Sequence, residues 1–352
     1  MMRKVLYITN IEVPYRVKFF NRLSKGVDLT VLYERDGSSN RNSEWAKSVN
    51  ASFSKAFLGG YKISNENSFS FGILKYLKGD YDDIIVSCFN SPVQIFGMLY
   101  LRLFRKKYIL SFDGEQFIGN DGLKDKIKKF IISGADKYLV AGETAAENIK
   151  KLVGNKKVYS YNFSSYTTEE LEENKKNPTT RRKDVLVVGQ YFDYKGLDIA
   201  VKIARSDPSI KFKFVGMGSR TEQFVSEQLN ASDTNIEVVR FLQKEALNKE
   251  YREAGVLLLP SRKECWGLVI NEAASFGMPI VATNGSGAAK EFLRGKYSRY
   301  IFDSDDTKGM HDAISELLSQ DNKEYSNYLI ETSSKYNVEN MVDAHLRVLE
   351  EL

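Results

Sequence analysis

Two glutamates, Glu264 and Glu272, flank the turn Cys265-Trp266-Gly267-Leu268-Val269. The apolar run 256–260 before them reads as a buried strand. Helical spacing then runs from about Gly267 to Gly277, with Pro279 just beyond, an ordinary helix stop. In a parallel sheet such a strand-to-helix turn lies at the carboxyl edge, where ligands gather. The N–H groups of Gly267, Leu268 and Val269 would open the helix and suit a phosphate. Glu264 precedes that helix and Glu272 lies about one and a half turns inside it. Carboxylates are poor partners for phosphate but good acceptors for sugar hydroxyls. The chemistry indicated is recognition of a molecule that carries both; the plain alternative is a capped surface helix with two solvated glutamates.

Positioning these groups requires alternating strands and helices, and the chain supplies them. Residues 4–9, 29–33, 84–88, 108–110 and 138–141 read as buried strands, with helical patterns over 15–23, 93–104 and from Glu143. Ile127, Phe130 and Ile131 set the apolar face of a lysine-rich helix. Between Tyr166 and Arg182 the pattern gives way to a short acidic helix and a polar stretch broken by Pro178. Strands resume at 184–189, 211–215, 238–241, 256–260 and 280–283, and 325–352 is amphipathic and helical. This alternation specifies an α/β protein with parallel sheets. The domains expected are 1–165, a linker at 166–183, 184–324, and a C-terminal helical segment at 325–352.

Composition excludes several classes. At 352 residues, 42% hydrophobic and 28% charged, the chain is long enough for two packed domains. Two cysteines, Cys88 and Cys265, cannot build a disulfide scaffold and fit a reducing compartment. With only two histidines, His311 and His345, and no acidic cluster of metal-ligand spacing, no metal site is expected. Cys265 has no histidine placed to activate it and is expected to pack. Asn10 to Arg16, after the first strand, lacks the glycine fingerprint of a dinucleotide oxidoreductase. Arg3 and Lys4 precede an apolar run too short for a secretory leader, and Asn90, Pro92 and Gln94 interrupt the longest uncharged stretch. A soluble, cytoplasmic chain is expected. Net charge is +5, but residues 1–180 hold 28 Lys and Arg against 20 Asp and Glu. That basic half suits either a solvated surface or an anionic partner such as lipid headgroups. No nucleic-acid motif accompanies it.

The run Glu264-x7-Glu272, continued by Ala273-Ala274, Gly277, Pro279 and Ile280-Val281-Ala282-Thr283, closely resembles the retaining nucleotide-sugar glycosyltransferases of family 4. The resemblance implies the GT-B fold, two Rossmann-like domains facing each other across a cleft. It also implies that Glu264 contacts the transferred sugar and Glu272 the ribose hydroxyls. Gly189-Gln190-Tyr191-Phe192-Asp193-Tyr194-Lys195-Gly196 resembles the family's diphosphate turn, which assigns Lys195 to the leaving group. Many relatives carry Arg where this chain has Gln190. Gly216-Met217-Gly218 matches the turn that packs near the nucleotide, and 284–291 the small-residue turn before another helix. In the N-terminal half, Asp113 occupies the place of a sugar or acceptor contact, and Pro14-Tyr15-Arg16 and Asn90-Ser91-Pro92 are candidate acceptor loops.

The function so implied is transfer of a sugar from a nucleotide-diphosphate donor, a UDP-sugar favoured, to a glycan or lipid-linked acceptor. The resemblance implies surface polysaccharide biosynthesis, no cofactor or metal, and a possible seat on the inner face of an anionic membrane. The alternatives are a sugar-nucleotide epimerase of the same fold and a non-catalytic nucleotide-sugar-binding subunit.

Overall fold

The computed structural model describes residues 2–36, 50–64, 67–114, 122–175 and 181–351, so residues 176–180 of the expected linker lie outside the described residues. The chain opens with β1 (Lys4–Ile11), α1 (Pro14–Leu23), β2 (Asp28–Arg35), β3 (Ser54–Phe57), β4 (Tyr61–Lys62) and β5 (Ser68–Phe69). Next come α2 (Ile73–Leu77), β6 (Asp83–Val86), α3 (Pro92–Leu103), β7 (Ile109–Phe112), α4 (Leu123–Ile132), β8 (Lys137–Ala141), α5 (Glu143–Val153) and β9 (Lys157–Tyr161). The chain continues with α6 (Thr168–Lys175), β10 (Asp184–Val188), α7 (Leu197–Ser206), β11 (Lys211–Val215), α8 (Thr221–Gln228), β12 (Ile236–Val239), α9 (Lys244–Glu253) and β13 (Val256–Leu259). It closes with α10 (Leu268–Ser275), β14 (Ile280–Thr283), α11 (Gly287–Phe292), β15 (Ile301–Phe302), α12 (Thr307–Ser319), α13 (Lys323–Ser334) and α14 (Val338–Glu350).

These elements form two compact units, Met1–Phe163 with Val338–Leu352, and Ser164–Asn337. The first unit holds a seven-stranded sheet in the order β3-β2-β1-β6-β7-β8-β9, every neighbour parallel. The second holds a six-stranded sheet, β12-β11-β10-β13-β14-β15, also parallel throughout. Central strands such as Val256-Leu257-Leu258-Leu259 are buried along their whole length, because helices cover both sheet faces. In the second sheet the order reverses between β10 and β13. The crevice at the carboxyl ends of those two strands is where an open α/β sheet takes its ligand.

Three expectations change in the structure. The C-terminal segment at 325–352 is two helices broken at 335–337. The first, α13, packs against α10 in the second unit, whereas α14 returns to pack against α1 in the first. Within the stretch read as a linker, α6 packs against α10 and α13 as part of the second unit. The face assigned to Ile127, Phe130 and Ile131 divides: Ile131 and Ile132 enter the core of the first unit, while Ile127 and Phe130 are exposed.

Candidate active site

The second unit gathers its candidate residues at the carboxyl ends of β10, β11 and β13. After β10 the chain passes through Gly189 and Gln190 to a 3-10 turn, Asp193–Lys195. Gly196 then adopts a left-handed conformation (φ 67°), and a Cβ there would lie 2.0 Å from the Pro260 carbonyl oxygen. Only glycine lets this turn sit so close to the loop after β13. The two loops are also tied directly. The Lys263 N–H donates to the Tyr194 carbonyl at 3.1 Å, and Arg262 donates to the Asp193 carbonyl and pairs with both carboxylate oxygens of Asp198, all within 2.8 Å.

That registration brings Lys195 onto Glu264: the ammonium donates to the Glu264 carboxylate, with both side chains mostly buried. Glu264 is fixed from its other side. Its N–H donates to the Gly285 carbonyl at 2.8 Å, and it bridges in parallel fashion to Ser286. The Ser286 hydroxyl donates to the Trp266 carbonyl at 2.6 Å. Gly267, at φ 103°, caps α10, and a Cβ there would meet the Ser286 hydroxyl at 2.8 Å and the Glu264 Cγ at 3.4 Å. The Glu264 side chain therefore lies across the start of α10. No side chain caps that end, and no acidic residue stands in its first turn, where Leu268 and Val269 are half-buried. The helix start is a local positive pole with the Lys195 ammonium beside the same carboxylate.

Gly216 approaches this group from β11. A Cβ on it would come 3.7 Å from the Gly189 nitrogen, and Gly189 in turn donates to the Val215 carbonyl at 2.9 Å. Side chains added at Gly189 or Gly218 would meet nothing within 4 Å, so the two turns leave open space beside bare backbone. Glu272, on α10, receives a 2.7 Å hydrogen bond from the buried Tyr251 hydroxyl on α9. Burial raises the Glu272 carboxyl above its ordinary range, against the opposing effects of the Tyr251 hydrogen bond and the Lys244 charge. Tyr251 thus holds one carboxylate oxygen and fixes how Glu272 is presented.

Arg220, just beyond Gly218, was not singled out by the sequence. Its guanidinium stacks over the Phe192 ring at 4.1 Å and donates to the Tyr191 carbonyl at 3.4 Å, beside the Gln190 turn. The signal that would have found it is its place two residues after the Gly216-Met217-Gly218 turn. Cys265, expected to pack, is exposed. Among the described residues, no group of three or more His, Cys, Asp or Glu side chains is placed to share a metal ion.

Asp113 belongs to the first unit, following β7. Arg16 from α1 pairs with its Oδ2, and the Tyr161 hydroxyl donates to its Oδ1 at 3.0 Å. Burial, reinforced by the Asp113 charge, raises Tyr161 well above its ordinary range, so the phenol stays a donor. Arg16 also donates to the Tyr7 hydroxyl at 3.4 Å. Of the candidate loops, Pro14 starts α1, and Ser91 donates to the buried Glu34 carboxylate at 2.7 Å. These contacts make Ser91 part of a buried polar network and leave Asp113 half-buried, held by two buried side chains.

Residues 168–336 match the family described as Glycosyl transferases group 1, a domain that coincides with the second unit. An uncharacterized glycosyltransferase of Haemophilus influenzae is 26% identical over 242 residues, 65% of each chain. An uncharacterized 41.2 kDa protein in the cps region of Klebsiella pneumoniae is 31% identical over 120 residues, 33% of each. The chain thus spans less than two thirds of the length of either relative. Among solved structures, the trehalose-6-phosphate enzyme of E. coli bound with UDP-2-fluoro glucose superposes with a TM-score of 0.71, covering 99% of each chain at 12% identity. That likeness shows the fold: GT-B, built of two Rossmann-like units.

Proposed function

We propose that this chain is a retaining glycosyltransferase that moves a sugar from a nucleoside-diphosphate donor, a UDP-sugar favoured, onto a glycan or lipid-linked acceptor. The observation that carries the reading is the Lys195–Glu264 pair laid across the uncapped start of α10, at the switch point of a group 1 domain. Cleavage of the bond from the anomeric carbon to the β-phosphate oxygen puts growing negative charge on the leaving diphosphate. A diphosphate oxygen arriving beside Lys195 takes the ammonium, the N–H groups of Gly267, Leu268 and Val269 share the charge, and Glu264 turns to a sugar hydroxyl. Charge neutralisation then needs no metal ion.

Glu272, oriented by Tyr251, accepts from the ribose hydroxyls. Gly189 and Gly216 let the nucleotide approach bare backbone. Arg220 supplies the second cation of the phosphate site, the charge that an arginine at Gln190 would have carried, from a different turn. The acceptor oxygen attacks the face from which the diphosphate leaves and passes its proton to a phosphate oxygen, so configuration is retained and no histidine base is required. A role in surface polysaccharide synthesis is supported by the relative from a cps region.

The test is thermal stabilisation by a panel of nucleoside diphosphates and their sugars, followed by product analysis with the best donor. Ligand at about 100 times its Kd should add about 2.7 kcal/mol. An inverted anomer in the product would overturn retention. Turnover of the donor without any acceptor, yielding an isomerised sugar nucleotide, would replace the reading with an epimerase. Stabilisation without any turnover would leave a binding subunit.

A further inference from the structure

The helix α4 is amphipathic in an unusual sense, because it has two apolar faces. Ile131 and Ile132 anchor it in the core of the first unit. Leu123, Ile127 and Phe130, spaced four and three residues apart along a stripe that Ile131 borders and Ile132 opposes, remain 75%, 50% and 52% exposed. An ordinary surface helix turns that stripe inward. The neighbouring end of α3 continues the pattern, with Leu103 at 77% and Phe104 at 58% exposure. Arg102 joins the two helices: its guanidinium lies 4.0 Å over the Phe130 ring and donates to the Phe130 carbonyl at 2.9 Å. The five apolar side chains are therefore carried by one braced pair of elements.

Cations surround this face. Lys124, Lys126, Lys128 and Lys129 interleave with the apolar residues of α4, whose one acidic residue is Asp125, and Arg105, Lys106 and Lys107 follow the end of α3. Exposed apolar residues in a basic ring match the boundary of an anionic bilayer, where side chains enter between headgroups that the lysines neutralise. A protein partner would have to supply both an apolar surface and a dense acidic rim, whereas an anionic membrane presents both at once.

We infer that the α3–α4 face of the first unit docks on an anionic lipid surface, with Leu103, Phe104, Leu123, Ile127 and Phe130 inserted at headgroup depth. This inference does not depend on sugar transfer, since its readouts are physical.

The full chain should co-sediment with phosphatidylglycerol vesicles and not with phosphatidylcholine vesicles, and raising salt toward ~1 M should release it as the Debye length falls to about 3 Å. Each of the four α4 lysines changed to Gln should lower partitioning about fivefold. Ile127→Ser with Phe130→Ser should lower it at least tenfold without altering the circular dichroism spectrum, because neither side chain is in the core. A Phe130→Trp variant should shift its added emission to the blue on phosphatidylglycerol vesicles. Equal binding to neutral vesicles, an unshifted emission from the introduced indole, or unchanged partitioning of the double serine variant would overturn the inference. So would a vesicle-free dimer, seen by analytical ultracentrifugation, that the double serine change dissolves, since the face would then belong to a second copy.

Discussion

Replacing Lys195 with alanine removes one ammonium from a site whose work is to hold negative charge. Unit charges about 4 Å apart attract by about 4 kcal/mol at an effective dielectric constant near 20, which bounds the loss. The change also leaves the Glu264 carboxylate facing the diphosphate with no counter-charge, because the ammonium it pairs with is gone. Loss of one preorganised donor typically lowers turnover by about 10²–10³, and Lys195→Ala should lower kcat/KM by that factor. Much of the charge appears only as the bond breaks, so affinity for the free nucleoside diphosphate should fall less than kcat/KM. Stability should change little, since the pair is not fully removed from water. The assay is release of nucleoside diphosphate from the preferred donor, with circular dichroism to show the fold intact. Glu264→Gln separates the two roles open to the lysine. If Lys195 only restrains Glu264, then Glu264→Gln and the double variant show the same loss as Lys195→Ala. Turnover near wild type in Lys195→Ala, or identical losses in all three variants, would refute the reasoning.

Glu272→Ala should weaken nucleoside diphosphate binding by about 1.5–3 kcal/mol, measured by titration calorimetry. Because burial raises the Glu272 carboxyl, wild-type affinity should begin to fall at a higher pH than an ordinary glutamate near 4.3 would cause, and Glu272→Gln should abolish that dependence. Arg220→Ala should lower diphosphate affinity severalfold or more while free nucleoside binds as before; an unchanged ratio between the two would remove Arg220 from the phosphate site. His345 is pushed by burial down to about 4, below its unfolded value of about 6.5. Between those pH values the unfolded chain binds a proton that the folded chain refuses. Stability is therefore full above about pH 6.5 and declines on acidification, by roughly 3 kcal/mol at pH 4. His345→Leu should flatten this part of the pH profile in thermal denaturation.

The alternation of buried strands and helices was legible because central parallel strands are continuous apolar runs. Val185-Leu186-Val187 and Val256-Leu257-Leu258-Leu259 leave no other reading, since both faces of each are covered. Both edge strands of the first sheet escaped notice: in β3 (Ser54-Lys55-Ala56-Phe57) and β9 (Lys157-Val158-Tyr159-Ser160-Tyr161) exposed polar residues break the run. The Lys195 turn and the Glu264 loop were legible as motifs, but their pairing depends on Gly196 fitting under Pro260, a contact made only in three dimensions. Arg16 reaches Asp113 across 97 positions, and no local pattern announces it. Apolar spacing in α4 marked a stripe without saying which way it turns, and the real core contacts are Ile131 and Ile132. For the same reason 325–352 read as one segment, although its two helices serve different cores.

The return of α14 to the first unit has a consequence for synthesis. His345 fills a cage of Tyr7, Phe19 and Tyr161, with ring centroids 4.6–6.3 Å away, and Arg22 on α1 pairs with Glu339 on α14. The residues that close the core of the first unit are therefore translated only after the whole of the second unit. The second unit, continuous from Ser164 to Asn337, has its whole sequence in hand earlier. Between Phe163 and Val338 the ribosome adds the 174 residues of the second unit. At about 5–20 residues per second this takes on the order of 10–40 s. For that interval the flank of α1 that carries Phe19 stands without its covering helix, a natural site for chaperone capture. A message truncated just before Val338 would release a chain whose second unit is whole and whose first stays open, so that quality control recognises the loss in the unit begun before the other.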